Sequence, residues 1–123
     1  MASQITAVKT PCPFGTPDDT TDVIFLIEER KLYFNKAILM MCSPVFKSMF
    51  TANFKEKEAK EIELPEKKYD DVVAFFEQMH PVYSHQTPVT ETSFGQILPL
   101  ADEYQAEHVL HKCSEYLESQ IHP

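Results

Sequence analysis

Apolar and polar positions change period twice along this chain. Val23–Ile27 is an unbroken apolar run of branched and aromatic types, which predicts a strand covered on both faces. Glu28–Lys31 reads as a polar turn and Leu32–Phe34 as a returning strand. Together they predict a β-hairpin, although a turn without Gly or Asn has no evident type. From Asn35 the period becomes helical. Ile38, Met40 and Met41 fall on one side of a short helix, and Ser43-Pro44 then offers a cap and a first helical position for another. Val45, Phe46, Met49 and Phe50 recur at helical spacing behind it. Two short helices meeting at Cys42–Pro44 make a tight helical hairpin.

A charged loop follows, TANFKEKEAK, in which Phe54 stands among Lys55, Lys57, Glu58 and Lys60, two positions before Glu56. A ring placed among charges gains nothing from water, so it either packs on the fold or docks a partner. Ile62 and Leu64 then alternate with Glu61 and Glu63, a half-exposed strand ended by Pro65. Asp70–His80 is the clearest helix, with Val72, Phe75, Phe76 and Met79 as its stripe and two aspartates at its amino end. Residues 82–90 read as a loop. A further helix carries Phe94, Ile97, Leu98, Ala101 and Tyr104 on one face, and Pro99 inside it predicts a kink or a split. Glu107–Ile121 is the last helix, with Val109, Leu110, Cys113, Tyr116 and Leu117 inward. Ahead of all this, residues 1–21 carry Pro11, Pro13, Gly15 and Pro17 and read as a flexible leader with at most a short strand at Ile5–Val8. The order of hairpin, two helices, strand and three helices predicts a small α+β domain.

Composition narrows the function classes. With 123 residues, 43% of them hydrophobic and including nine Phe and five Tyr, the chain can bury one substantial core. A net charge of −8 with basic residues interleaved among acidic ones argues against nucleic-acid binding. Cys12, Cys42 and Cys113 are odd in number and widely spaced, which suits reduced thiols in the cytoplasm or nucleus. No apolar run reaches a membrane span and the first residues lack a secretory pattern, so an intracellular location without a membrane is expected. Only Gly15 and Gly95 occur, leaving no Gly-rich phosphate loop, and no nucleophile signature surrounds any Ser. His108 and His111 lie i, i+3, but Cys113 belongs to the core stripe, so solvated histidines are read rather than metal ligands. The expectation is a protein that is not an enzyme and carries no metal or cofactor.

The landmarks, in order, are Asp22-Val23, the NKAIL and SPVFKSMF hairpin, FKE, EIELP, LPLADEYQ and CSEYL. In that order and spacing the chain resembles the BTB/POZ family from Asp22 to about Leu117. This places a leader at 1–21 and a BTB/POZ domain at 22–121, a short hairpin and small sheet packed on five to six helices. Asn35-Lys36 and HPVYSHQTPVT are similar to the BTB domains found beside MATH domains in substrate adaptors. The resemblance implies a homodimer whose first helices pack about a two-fold axis, enlisting Ile38, Met40, Met41 and Asp22. It also implies binding to cullin-3 through a hydrophobic–any–Glu motif, here Phe54-Lys55-Glu56, with His80 standing where many such members have Tyr. The protein implied is an adaptor bridging unknown substrate proteins to a cullin-3 RING ubiquitin ligase. The alternative is a structural self-assembly module without cullin binding. A third family use, recruitment of transcriptional corepressors, pairs the strand Asp with a basic hairpin residue, and here that position is Cys42. The chain ends at Pro123 without the helical extension that often follows, which fits a domain excised from a longer protein or a stand-alone member.

Overall fold

The computed structural model describes residues 13–51 and 61–121. Strands β1 (Val23–Ile27) and β2 (Arg30–Phe34) pair antiparallel with Ile27 opposite Arg30. The returning strand is longer than the sequence pattern indicates because the turn is only Glu28 and Glu29, both left-handed, at φ 52° and 63°. This is the type I′ geometry that matches strand twist, and a non-glycine residue adopts it at a cost of about 1–2 kcal/mol. Tertiary contacts offset the strain. The Glu28 carboxylate accepts the Tyr69 backbone N–H at 2.9 Å, capping a helix amino terminus, and the Arg30 guanidinium lies 3.7 Å from the Tyr69 ring centroid.

Strand β3 (Glu61–Glu63) lies parallel to β1 with Phe25 beside Ile62, so the sheet order is β2-β1-β3. Here β1 departs from expectation. Val23, Phe25 and Ile27 are buried, but Ile24 and Leu26 are only half-buried, so one face of the sheet is fully covered rather than two. Phe46 and Phe76, both helical, meet Phe25 from the covered side.

The helices are α1 (Lys36–Cys42), α2 (Pro44–Thr51), α3 (Tyr69–Met79), α4 (Tyr83–Gln86), α5 (Glu91–Glu103) and α6 (Glu107–Ile121). The short α4 occupies part of the stretch read as loop. Pro99 neither splits α5 nor ends it. The bond its ring forgoes would run to the carbonyl of Gly95, and both residues are exposed, so water can satisfy that oxygen. Thr90 and Ser93 open α5 with a reciprocal capping box. Its other end is a Schellman closure: Ala106 N–H donates to the Ala101 carbonyl at 2.9 Å and Gln105 N–H to Asp102 at 3.2 Å. Gln105 takes the left-handed position usually held by Gly, at φ 54°.

The core is aromatic at its centre. Phe76 lies 4.6 Å from Phe34 and 5.3 Å from Phe25 by ring centroids, and Phe46 stacks on Tyr104 at 4.4 Å and 5°. Such contacts add about 0.5–1.5 kcal/mol each to the burial itself. Within the stretch read as a leader, Phe14 is buried, edge-on to Phe34 at 5.0 Å, and its carbonyl accepts the Tyr33 N–H at 2.8 Å. Asp18 Oδ1 accepts the Thr20 N–H at 2.7 Å and organises the approach to β1. On α6, Val109 and Cys113 are buried as expected, whereas Leu117 is 46% exposed rather than inward. The strand considered at Ile5–Val8 lies outside the described residues.

Ser43 joins the hairpin of α1 and α2 to this core. Its hydroxyl accepts the Phe46 N–H at 3.1 Å, the helix cap anticipated from Ser-Pro, and donates to the Tyr104 carbonyl at 2.6 Å. Ser43 is buried, so neither partner can turn to water if the hydroxyl is removed. Ser43→Ala is expected to lower stability by about 2–3 kcal/mol in urea denaturation, with the slope of the transition unchanged. A loss below about 0.5 kcal/mol would mean that the hydroxyl does not join these elements.

Candidate functional site

Two neighbouring surfaces hold the described candidate residues. The first is the helical hairpin. In α1, Leu39 points into the core, Ile38 and Met40 are half-buried against it, and Met41 is 79% exposed. An apolar side chain that far out of the core is available to a partner. Met41 also lines an open groove of about 610 Å³ with Cys42, Pro44, Gln105, Glu107 and His108. Asp22 has a structural task within the chain: its carboxylate accepts the Lys36 backbone N–H at 2.8 Å and so caps α1. Asn35 beside it donates to the Thr20 carbonyl. Burial pushes the Cys42 thiol up from its ordinary range, and its sulfur reaches the Met79 carbonyl at 4.0 Å. That contact brings the end of α1 against the end of α3.

The second surface is the corner between α3 and α4, built around His80. The imidazole is half-buried among Phe14, Phe34 and Tyr83, with the Tyr83 ring centroid 4.8 Å away. Its Nδ1 accepts backbone N–H groups from Val82 at 3.1 Å and Tyr83 at 3.4 Å, so the ring shapes the corner it occupies. Burial holds its pKa below the usual histidine range, against the opposing pull of the Asp18 carboxylate. Val82, 53% exposed, stands beside it, and a cavity of about 170 Å³ opens between His80, Asn35, Asp18 and Tyr83.

The corner is braced from behind by a network that the hydrophobic pattern does not announce. Gln78 is fully buried in the stripe of α3 and donates to the Thr87 carbonyl at 2.7 Å. Lys112 of α6 donates to Gln78 Oε1 and to the Ser84 carbonyl, the latter at 3.2 Å. The partial burial that this requires lowers the Lys112 pKa. The one available clue is a glutamine sitting between Phe75, Phe76 and Met79.

Phe54, Lys55 and Glu56 lie outside the described residues. His108 and His111 are exposed while Cys113 is buried, so the three diverge on α6. Among the described residues no helix is long and apolar enough to cross a membrane.

The order of hairpin, helical hairpin, parallel third strand and following helices has counterparts among solved structures. The BTB domain of zebrafish PATZ1 superposes with a TM-score of 0.64 at 22% identity, covering 80% of this chain and 76% of that one. The BTB domain of human Gigaxonin gives 0.60 at 18% identity, covering 77% and 75%. These likenesses establish the fold. The sequence profile of the BTB/POZ domain matches residues 14–121. The chain belongs to the BTB/POZ family. Among curated proteins it is 37% identical over 98 residues to BTB and MATH domain-containing protein 38 of Caenorhabditis elegans. It is 32% identical over 102 residues to human Kelch-like protein 3. Those alignments cover 78% and 83% of this chain but only 24% and 17% of the relatives, so the chain spans a quarter or less of either protein. The matched region begins at residue 14, where the buried Phe14 joins the core. BTB domains are interaction modules, and this one is a protein-interaction domain of α+β architecture.

The His80 geometry makes a pH prediction for the BTB domain. Nδ1 can accept two N–H groups only while it carries no proton. Because the folded pKa lies below the ordinary value of 6.5, the unfolded chain binds the proton more readily. The contribution of His80 is therefore complete above that value and is lost as pH falls through it toward the folded pKa. Urea denaturation from about pH 7.5 to about pH 5.5 is expected to show wild type losing stability relative to His80→Phe across this window. A difference between the two proteins that stays constant with pH would contradict the assignment.

Proposed function

We propose that this BTB domain homodimerises and serves as the adaptor that links substrate proteins to a cullin-3 RING ubiquitin ligase. The observation that carries the reading is the likeness to a MATH-containing BTB protein and to Kelch-like proteins over most of this chain. Two sequence features support it. Phe54-Lys55-Glu56 follows the second helix, where the family's hydrophobic–any–Glu motif stands, and His80 lies at the corner where many cullin-binding members have Tyr. In this reading the Phe54 ring is an apolar anchor and Glu56 orients it by charge-assisted hydrogen bonding. Val82, exposed beside His80, extends the same contact.

The dimer uses the helical hairpin. Met41 meets its counterpart across a two-fold axis, with Ile38 and Met40 beneath it and Asp22 holding the start of α1 in place. Substrate is recruited by parts of a longer protein, in keeping with the small share of its relatives that this chain spans. The setting is intracellular. A self-assembly module that does not engage cullin is the second reading, favoured by the exposure of Met41 alone.

Calorimetry with the amino-terminal domain of cullin-3, paired with light scattering, separates the two. Binding is expected for the wild-type dimer and is expected to weaken about 30-fold or more when Phe54→Ala and Glu56→Ala are combined. Binding of undiminished strength in that variant would remove the loop as the anchor. A dimer that does not bind cullin-3 would favour self-assembly.

A further inference from the structure

We propose that the outer edge of β3 is a strand-addition site for an extended basic segment of another protein. The inference is independent of the cullin reading, because it rests on Glu61 and Glu63 of β3 and on none of the residues invoked there. In the parallel pairing of β3 with β1, the Leu64 N–H donates to the Leu26 carbonyl at 3.0 Å. Hydrogen bonding in such a ladder alternates along the strand, so Ile62 and Leu64 face β1, and Glu61 and Glu63 turn their N–H and C=O groups outward. Among the described residues β3 ends the sheet, with no strand on its outer side. Two residues with two groups each leave four backbone groups facing away from β1.

Side chains specify what can fill that edge. Ile62 is buried, so Glu61 and Glu63 share the opposite face and both are exposed. On that face they flank Ile24 and Leu26, the half-buried positions of β1, with Ile24 opposite Glu61 and Leu26 opposite Glu63. Lys31 reaches Glu61 at 3.8 Å, but with both side chains about half exposed that pair is easily exchanged for another cation. A second copy of this strand would set glutamates against glutamates, which like-charge repulsion disfavours. A segment with lysine or arginine at alternate positions pairs its charges with both glutamates, and its intervening apolar residues turn to the opposite face, the one on which Ile62 lies. The shortness and charge of the edge restrict indiscriminate pairing while leaving this combination open. Four backbone hydrogen bonds of ordinary net strength correspond to a Kd of about 1 mM, which charge pairing then tightens.

The test is two-dimensional NMR of the 123-residue chain titrated with a short capped peptide of alternating lysine and valine. Shifts are expected to concentrate at the Glu61 and Glu63 amides and at the Ile62 methyl groups. The same peptide with glutamate in place of lysine is expected to give none. Glu63→Pro removes an outward N–H, a change an edge strand tolerates, and is expected to weaken binding about tenfold. Should that variant fail to fold, the combined Glu61→Lys and Glu63→Lys variant decides, since it is expected to bind the acidic peptide instead of the basic one. Equal binding of the two peptides, shifts centred elsewhere, or no shift at millimolar peptide would overturn the proposal.

Discussion

The contact on which the rest of this domain depends is the packing of Phe76 between sheet and helices. Its ring reaches Phe34 on β2, Phe25 on β1 and Phe46 on α2, and Phe46 in turn stacks on Tyr104 at the end of α5. One side chain thereby fixes the sheet, the helical hairpin and the third helix relative to one another. Both candidate interaction surfaces are satellites of that cluster. Met41 projects from the hairpin that Ser43 fastens to Tyr104, and His80 begins the corner four residues after Phe76. An interaction module needs its contact residues held before the partner arrives, and interlocked aromatic packing provides that more rigidly than surface ion pairs would.

Much of this architecture is legible in the order of residues because local chemistry and tertiary structure agree. Ser43-Pro44 announces a cap and a helix start and serves as both. The stripe of Val72, Phe75, Phe76 and Met79 is buried as a helix of its period requires. The illegible parts are those where a distant residue settles a local question. Glu28 and Glu29 are poor choices for left-handed backbone, and nothing nearby explains them. For Glu28 the explanation lies in Tyr69, forty-one positions away in the chain, whose amide needs a carboxylate; nothing in the structure explains Glu29. The apolar run of β1 looks suited to burial on both sides, yet only its odd-numbered residues are fully buried, and the run alone does not reveal that the opposite face is only partly covered. Phe14 is hidden among prolines and turn residues, whose breaker signals mask a core position.

The candidate site divides in the same way. Ile38, Met40 and Met41 could be placed on a helix face by spacing, and the structure separates them by exposure, with Met41 alone fully outward. The family resemblance implies contact roles for Asp22 and His80. Each has a structural task as well, one capping α1 and the other accepting two amides at the α3–α4 corner. No periodicity could have revealed that Gln78 pairs with Lys112, since the bond between them joins α3 to α6. These polar ties set the shape of the corner, whereas the apolar core sets its place.

Native-state hydrogen exchange on Phe76→Leu is the most direct measurement of whether one cluster supports both surfaces. The substitution trims a fully packed ring and is expected to cost about 1–3 kcal/mol. If the account holds, the protected amides of α2 and of the His80–Ser84 corner lose protection together and by the same free energy. Loss confined to one of these regions, with the other unchanged, would show that the two surfaces stand on separate supports.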